Sequence, residues 1–273
     1  MKKIVNFTMC LVLCLLAMFA IIPQRQEATQ TKYFATSFNG ASEFTTKVFT
    51  VSYAERVPSG KTLALRTPDY IVPNVTCVPI AGANILGFYD RYYTELIPNF
   101  TPGVTYAGVY YVYNAYDDNV TNAALQLAAD MGLTDPAKQG ATVAGCKTGF
   151  EKYCNIKSLS VSFDSTMQNN SLNYETAKEQ LNSGKPIIIF CSYFNLATMG
   201  QNGKTDTIVL YTSTTPHAMV AFGYSEYTYT LSDGSTRVDK YLEVASGVDT
   251  LSSAMVYMGS DLTVDDAYAV TIY

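Results

Sequence analysis

The stretch from Pro73 to Tyr93 constrains this chain more than any other. A short polar lead, Asn74 to Thr76, runs into an almost continuous apolar segment. Ile80, Ala83, Leu86 and Tyr89 recur there at near-helical spacing, and Ile85 and Phe88 widen the face. Pro79 fits only the first turn of a helix, where its missing N–H costs nothing. The pattern predicts a helix from about Val78 to Tyr92, and a helix apolar on most sides has to be enclosed by the rest of its domain. Gly82 and Gly87 weaken it by about 1 kcal/mol each relative to alanine, so close neighbours are expected at both. Cys77 falls at the N-terminus of this helix. Unpaired N–H groups and the helix dipole favour an anion there, so its thiol is expected to ionise more readily than a free one. The plainer reading of the same residue is a small buried core cysteine.

With 48% hydrophobic and 15% charged residues, the 273-residue chain has material for a sizeable core, in one large domain or two lobes. A net charge of −5 with no Lys/Arg-rich patch argues against nucleic acid as a partner. The N-terminus has a basic head, Met1-Lys2-Lys3, an apolar run from Ile4 to Ile22 and a polar exit from Pro23 to Glu27. This is the layout of a secretory signal peptide, assigned to residues 1–28, with cleavage after Ala20 or Ala28. A retained membrane anchor is the competing reading, since the run approaches spanning length. Once a signal is removed, no stable membrane insertion is expected, and the protein is placed outside the cell or at a bacterial cell surface.

Cys10 and Cys14 would leave with the signal, so Cys77, Cys146, Cys154 and Cys191 remain. Four cysteines in a secreted chain allow two disulfides, but these spacings form no framework and a domain of this size needs none. His217 is the single histidine and there is no Cys-x-x-Cys. That leaves too few ligands for an ordinary zinc site, and neither metal nor cofactor is expected.

Residues 29–66 are mixed and polar, a pro-region or an extra strand ahead of the main domain at 67–273. Lys47 to Tyr53 alternates like a strand, and Pro58-Ser-Gly-Lys61 reads as a turn. Helices are predicted over Thr121 to Met131, capped by Gly132, over Val143 to Tyr153, and over Tyr174 to Leu181 with Asn173 or Ser171 as N-cap. Cys146 and Cys154 read as core packing. Eight residues apart on a helix, they lie about 12 Å from each other, too far to bridge. Strands are predicted at Leu159 to Phe163, Ile187 to Phe190, Thr207 to Tyr211, Ala218 to Tyr224, Met255 to Met258 and Tyr268 to Tyr273. A hairpin of Tyr227 to Leu231 with Val238 to Val244 closes on Ser-Asp-Gly. Helices in the first half and strands in the second predict an α+β domain, a helical lobe packed on an antiparallel sheet.

His217 opens an apolar strand, Pro216-His217-Ala-Met-Val-Ala-Phe-Gly-Tyr224. A cysteine whose thiolate attacks a carbonyl, with a histidine to take and return the proton, is a recurrent hydrolase pair. Its members are distant in sequence and adjacent in space. Taken alone, His217 reads more plainly as a satisfied core or surface residue.

Cys77-Val-Pro-Ile-Ala-Gly-Ala-Asn-Ile-Leu-Gly-Phe-Tyr-Asp90 resembles the nucleophile helix of papain-like cysteine peptidases. The nearest resemblance is to the bacteriocin-processing (double-glycine leader) peptidase-like group of secreted bacterial proteins. Gly140-Ala-Thr142 with Gly149 to Tyr153 is similar to that group's intermediate helix. Leu181-Asn-Ser-Gly-Lys-Pro-Ile-Ile-Ile189 and Pro216 to Tyr224 are similar to two of its strands. From about Tyr70 to the C-terminus, the resemblance implies a papain-like fold, with a helical N-terminal lobe whose Cys-bearing central helix packs on an antiparallel sheet lobe. It also implies a peptide or amide substrate, Cys77 as nucleophile and His217 as general base and acid. The chain departs from the pattern twice. The usual glutamine position before the cysteine holds Ile71, leaving Asn74 as the nearest amide for an oxyanion donor. In Tyr241-Leu-Glu-Val-Ala-Ser-Gly247, Ser246 stands where an Asp or Asn would orient the histidine, with Asp249 close by but off the motif.

Two functions follow. One is a secreted thiol hydrolase, a peptidase or amidase. The other is a catalytically degraded binding or structural module on the same fold, using tyrosine-rich surfaces such as Tyr92, Tyr93, Tyr110, Tyr111 and Tyr113. The export reading makes the first prediction: intact-mass measurement of secreted material shows the first twenty-odd residues gone, and material beginning at Met1 refutes it.

Overall fold

The computed structural model describes residues 31–273 except 37, 39, 40, 64, 65, 115, 252, 253 and 260. The expected signal peptide, with Cys10 and Cys14, lies outside the described residues.

Helix α1, Cys77–Asp90, is buried over its whole length, as its all-round apolar pattern demands. It stops short of the predicted Tyr92 because the N–H groups of Tyr92 and Tyr93 both return to the Tyr89 carbonyl, while Asp90 Oδ1 accepts the Ile97 N–H at 2.7 Å. Three further helices follow, α2 (Asp118–Asp130), α3 (Val143–Ile156) and α4 (Tyr174–Asn182), each with a side-chain N-cap: Asp117, Thr142 and Asn173. Thr76, the N-cap residue of α1, makes no such bond; its hydroxyl donates to the Gln139 carbonyl at 2.9 Å.

The strands are β1 (Thr45–Ser52), β2 (Glu55–Thr62), β3 (Gly103–Tyr106), β4 (Val109–Val112), β5 (Val161–Ser165), β6 (Met167–Gln168), β7 (Ser171–Leu172), β8 (Ile187–Asn202), β9 (Thr205–Ser213), β10 (His217–Thr230), β11 (Thr236–Ala245), β12 (Met255–Tyr257) and β13 (Thr263–Ile272). Among the described residues, nine of them form one antiparallel sheet, with β3–β4 and β6–β7 as separate hairpins. The long strands β8 and β10 change neighbours partway. Ile187 to Cys191 of β8 pairs with β13 and with the first residues of β10, while its far half pairs with β9 and β12. Beyond Val220, β10 pairs with β11, and from Gly223 also with β2. Helix α1 packs against α2, α3 and β10, and Tyr33–Tyr273 makes one compact unit.

The fold is α+β, but its two classes are not split between the halves of the chain. β1 pairs with β9 and β2 with β10, so the segment 29–66 supplies two strands to the sheet. Pro58 to Lys61 is not a turn but the middle of β2. That strand pairs with β10 alone, and an edge strand tolerates proline. The Tyr227 to Leu231 strand is not separate either, for it continues the strand that His217 opens.

The two glycines of α1 have the expected close neighbours. A Cβ on Gly82 would lie 2.2 Å from Leu127 Cδ2 of α2, and one on Gly87 would lie 2.5 Å from the Tyr70 hydroxyl. Gly87→Ala sets a helix-propensity gain of about 1 kcal/mol against an overpacking cost of about 1–3 kcal/mol. Because Tyr70 is fully buried, the melting temperature is expected to fall. An unchanged or higher melting temperature would mean that Tyr70 yields without cost.

Candidate active site

Cys77 is the first residue of α1 and is 2% exposed. Backbone N–H groups of Ala218, Thr36, Cys77 and Val78 favour its thiolate, as a helix N-terminus should. Burial outweighs them and pushes the thiol up to about 11, so the readier ionisation expected from the sequence does not hold in the folded chain.

His217 is the first residue of β10, across from Cys191 of β8, and is 1% exposed. Its ring lies against Phe194, centroids 5.5 Å apart, and Phe38, centroids 5.0 Å apart. Nε2 is 2.8 Å from the Ser246 carbonyl oxygen. A carbonyl only accepts, so Nε2 carries the proton and Nδ1 is the basic nitrogen. Nδ1 is buried with no hydrogen-bond partner among the described residues. Burial pulls the imidazole down to about 4. His217 opens the strand whose next residue, Ala218, has a backbone N–H that favours the Cys77 thiolate.

Ser246 meets His217 through its backbone carbonyl and not through its side chain. The hydroxyl donates to the Leu251 carbonyl and accepts the Val248 N–H, both at 3.1 Å. Asp249 is exposed, and its carboxylate accepts the Thr250 N–H. Asn74 is exposed in the left-handed region at φ 59°, on the rim of a cavity also lined by Phe38, Ile80 and Gly247. Reading the sequence missed Asp69. It is 4% exposed, and its Oδ1 accepts the Gly247 N–H at 2.8 Å. The available signal was an acidic residue set in the otherwise apolar run Pro68-Asp69-Tyr-Ile-Val72.

Residues 33–36 and Phe38 form a strap over the start of α1 and the His217 ring. The Phe34 N–H donates to the Ala141 carbonyl at 3.0 Å, in an antiparallel bridge. The Cys77 N–H donates to the Thr36 carbonyl at 2.8 Å. The Thr36 hydroxyl donates to the Pro216 carbonyl, next to His217. Phe34 packs on Phe190, and the Phe38 ring lies on the imidazole. A Cβ on Gly140 would lie 2.6 Å from the Phe34 carbonyl group and 2.7 Å from the Ala35 nitrogen, so the strap fits only because residue 140 has no side chain.

Cys146, Cys154 and Cys191 are buried free thiols, as is Cys77, and burial raises all of them. Tyr92, Tyr111 and Tyr113 are exposed, while Tyr93 and Tyr110 are half-buried. Among the described residues, no group of His, Cys, Asp or Glu is placed to hold a metal, and no helix is long and apolar enough to cross a membrane.

No family model and no curated protein matches the chain. Among solved structures, it is similar to active wild-type Prevotella intermedia interpain A cysteine protease, at 14% sequence identity and a TM-score of 0.39, over 80% of this chain and 95% of that one. A likeness that distant carries no chemistry, which has to come from the residues themselves.

In the chain as folded, iodoacetamide is expected to modify Cys77 more slowly than it modifies glutathione at pH 7, because the thiol is buried and protonated. Peptide mapping that finds Cys77 modified faster than glutathione contradicts the closed site.

Proposed function

We propose that this chain is a secreted papain-like thiol hydrolase, a peptidase, with Cys77 as nucleophile and His217 as general base and acid, held closed by its own strap. The observation that carries the reading is the placement of the two elements that bear these residues. The first residue of a buried helix lies against the strand opened by the only histidine, and that histidine has its basic nitrogen unpartnered among the described residues. With the strap displaced, Nδ1 takes the Cys77 proton and the thiolate attacks a substrate carbonyl carbon. The resulting oxyanion accepts the Cys77 N–H that the Thr36 carbonyl now holds. Asn74 is the nearby amide available as a further donor. The imidazolium then protonates the leaving amine as the C–N bond breaks, and water activated by His217 hydrolyses the thioester.

A specific observation favours a second reading, the non-catalytic module: in the closed state both partners are neutral, with the thiol raised to about 11 and the imidazole lowered to about 4.

Gly140→Ala separates the two readings, since its methyl group cannot coexist with the bound strap. For a hydrolase, iodoacetamide at pH 6 is expected to label Cys77 of this variant at least about tenfold faster than in the parent. A screen of peptide and amide substrates is expected to give activity that Cys77→Ala abolishes, His217→Ala nearly abolishes and Ser246→Ala largely spares, because the bond to His217 comes from the backbone. Inertness of Cys77 in an opened chain would leave the module.

A further inference from the structure

We propose that Asp69 is the positioning carboxylate of His217, acting through the single peptide group that joins Ser246 to Gly247. This rests on the reading of Cys77 and His217 as a working pair. The geometry is a relay across one planar amide. At one end, the Ser246 carbonyl accepts Nε2–H of His217 at 2.8 Å. At the other, the N–H of the same amide, on Gly247, donates to Asp69 Oδ1 at 2.8 Å. A carboxylate drawing on the N–H pushes electron density onto the carbonyl oxygen, and hydrogen bonds chained in this way strengthen one another by about 10–30% each. The negative charge missing at Ser246 is thus supplied from a residue far earlier in the chain.

The surroundings hold this arrangement from several sides. Gly247 sits in the left-handed region at φ 66°, and a Cβ there would meet Ile80 of α1 at 3.4 Å. The Asp69 N–H is held by Asn114 Oδ1 at 3.2 Å. The Tyr70 N–H is held by Asn84 Oδ1 at 2.8 Å, and Asn84 belongs to the helix that carries Cys77. Asp69 is therefore tied to the nucleophile's helix and to the turn that holds the histidine.

Burying a carboxylate is costly unless it is paired. Asp69 Oδ2 has no hydrogen-bond partner among the described residues, and desolvation raises the group to about 7 although backbone N–H groups of Gly247 and Ser246 favour its charge. A group kept at that cost beside a reactive pair is a functional candidate. The ionisable residues lining the cavities beside it are Arg66, Tyr110, Tyr111, Tyr116 and Asp249. On the far side of the relay, His217 faces the Phe38 and Phe194 rings.

The test is the NMR signal of the imidazole Nε2–H, which is unambiguous because the chain has one histidine. In the full-length chain the relay predicts a downfield shift of this proton as pH rises through about 7, while the imidazole itself stays neutral. Asp69→Asn keeps an oxygen for the Gly247 N–H and removes the charge, so the shift should be flat from pH 5 to 9. Asp249→Asn and Cys77→Ala should leave the titration in place. A flat signal in the parent chain, or a titration that survives Asp69→Asn, overturns the proposal. If Asp69→Asn does not fold, the parent and Asp249→Asn curves still decide. The readout needs neither substrate nor an accessible thiol. A titrating signal in a chain that hydrolyses nothing keeps the relay and removes the hydrolase; a flat one in a chain with Cys77-dependent activity does the reverse.

Discussion

A helix enclosed on every side still has to find acceptors for the N–H groups of its first turn. In α1 these acceptors organise the site. The Thr76 N–H goes to the Pro136 carbonyl and the Cys77 N–H to the Thr36 carbonyl, while N–H groups of Val78 and Ala218 favour the thiolate. Helix start, sheet strand and N-terminal strap therefore meet at one sulfur. The contest there is between oriented donors and desolvation, and desolvation wins. The move from 9.0 to about 11 is about 3 kcal/mol against the thiolate. The strap is also the segment whose Thr36 carbonyl holds the Cys77 N–H.

Asp69 and His217 carry opposite pH dependence into the fold. Asp69, raised from 3.8 to about 7, makes the native state lose stability as pH rises across that interval, because the unfolded chain releases the proton first. His217, lowered from 6.5 to about 4, makes it lose stability as pH falls across its own interval, because the unfolded chain takes the proton up first. Between about pH 4 and 6.5 the two slopes oppose each other. Neither group is what a core designed only for stability would hold.

Much of this was legible in the sequence, for reasons that also mark where reading stopped. The enclosure of α1 follows from apolar residues on all its faces, and Asn173 and Gly132 announce helix ends through local chemistry. Cys77 and His217 stood out as a cysteine at a helix start and a lone imidazole at a strand start. What stayed hidden depends on long-range geometry. Pro58 and Gly60 look like a turn until β10 lies alongside them. Ser246 meets the ring through its carbonyl, and whether hydroxyl or carbonyl does so depends on the turn to Leu251. Asp69 and Thr36 reach the site from far along the chain, and no local periodicity reports that.

The central claim is that Cys77 and His217 exchange a proton once the strap is displaced. The most direct measurement is the pH dependence of Cys77 alkylation in Gly140→Ala, compared with the same variant also carrying His217→Ala. A coupled pair predicts a reactive limb below pH 7 that disappears with the imidazole. Superimposable profiles, both rising only in the alkaline range of a lone buried thiol, would contradict the account.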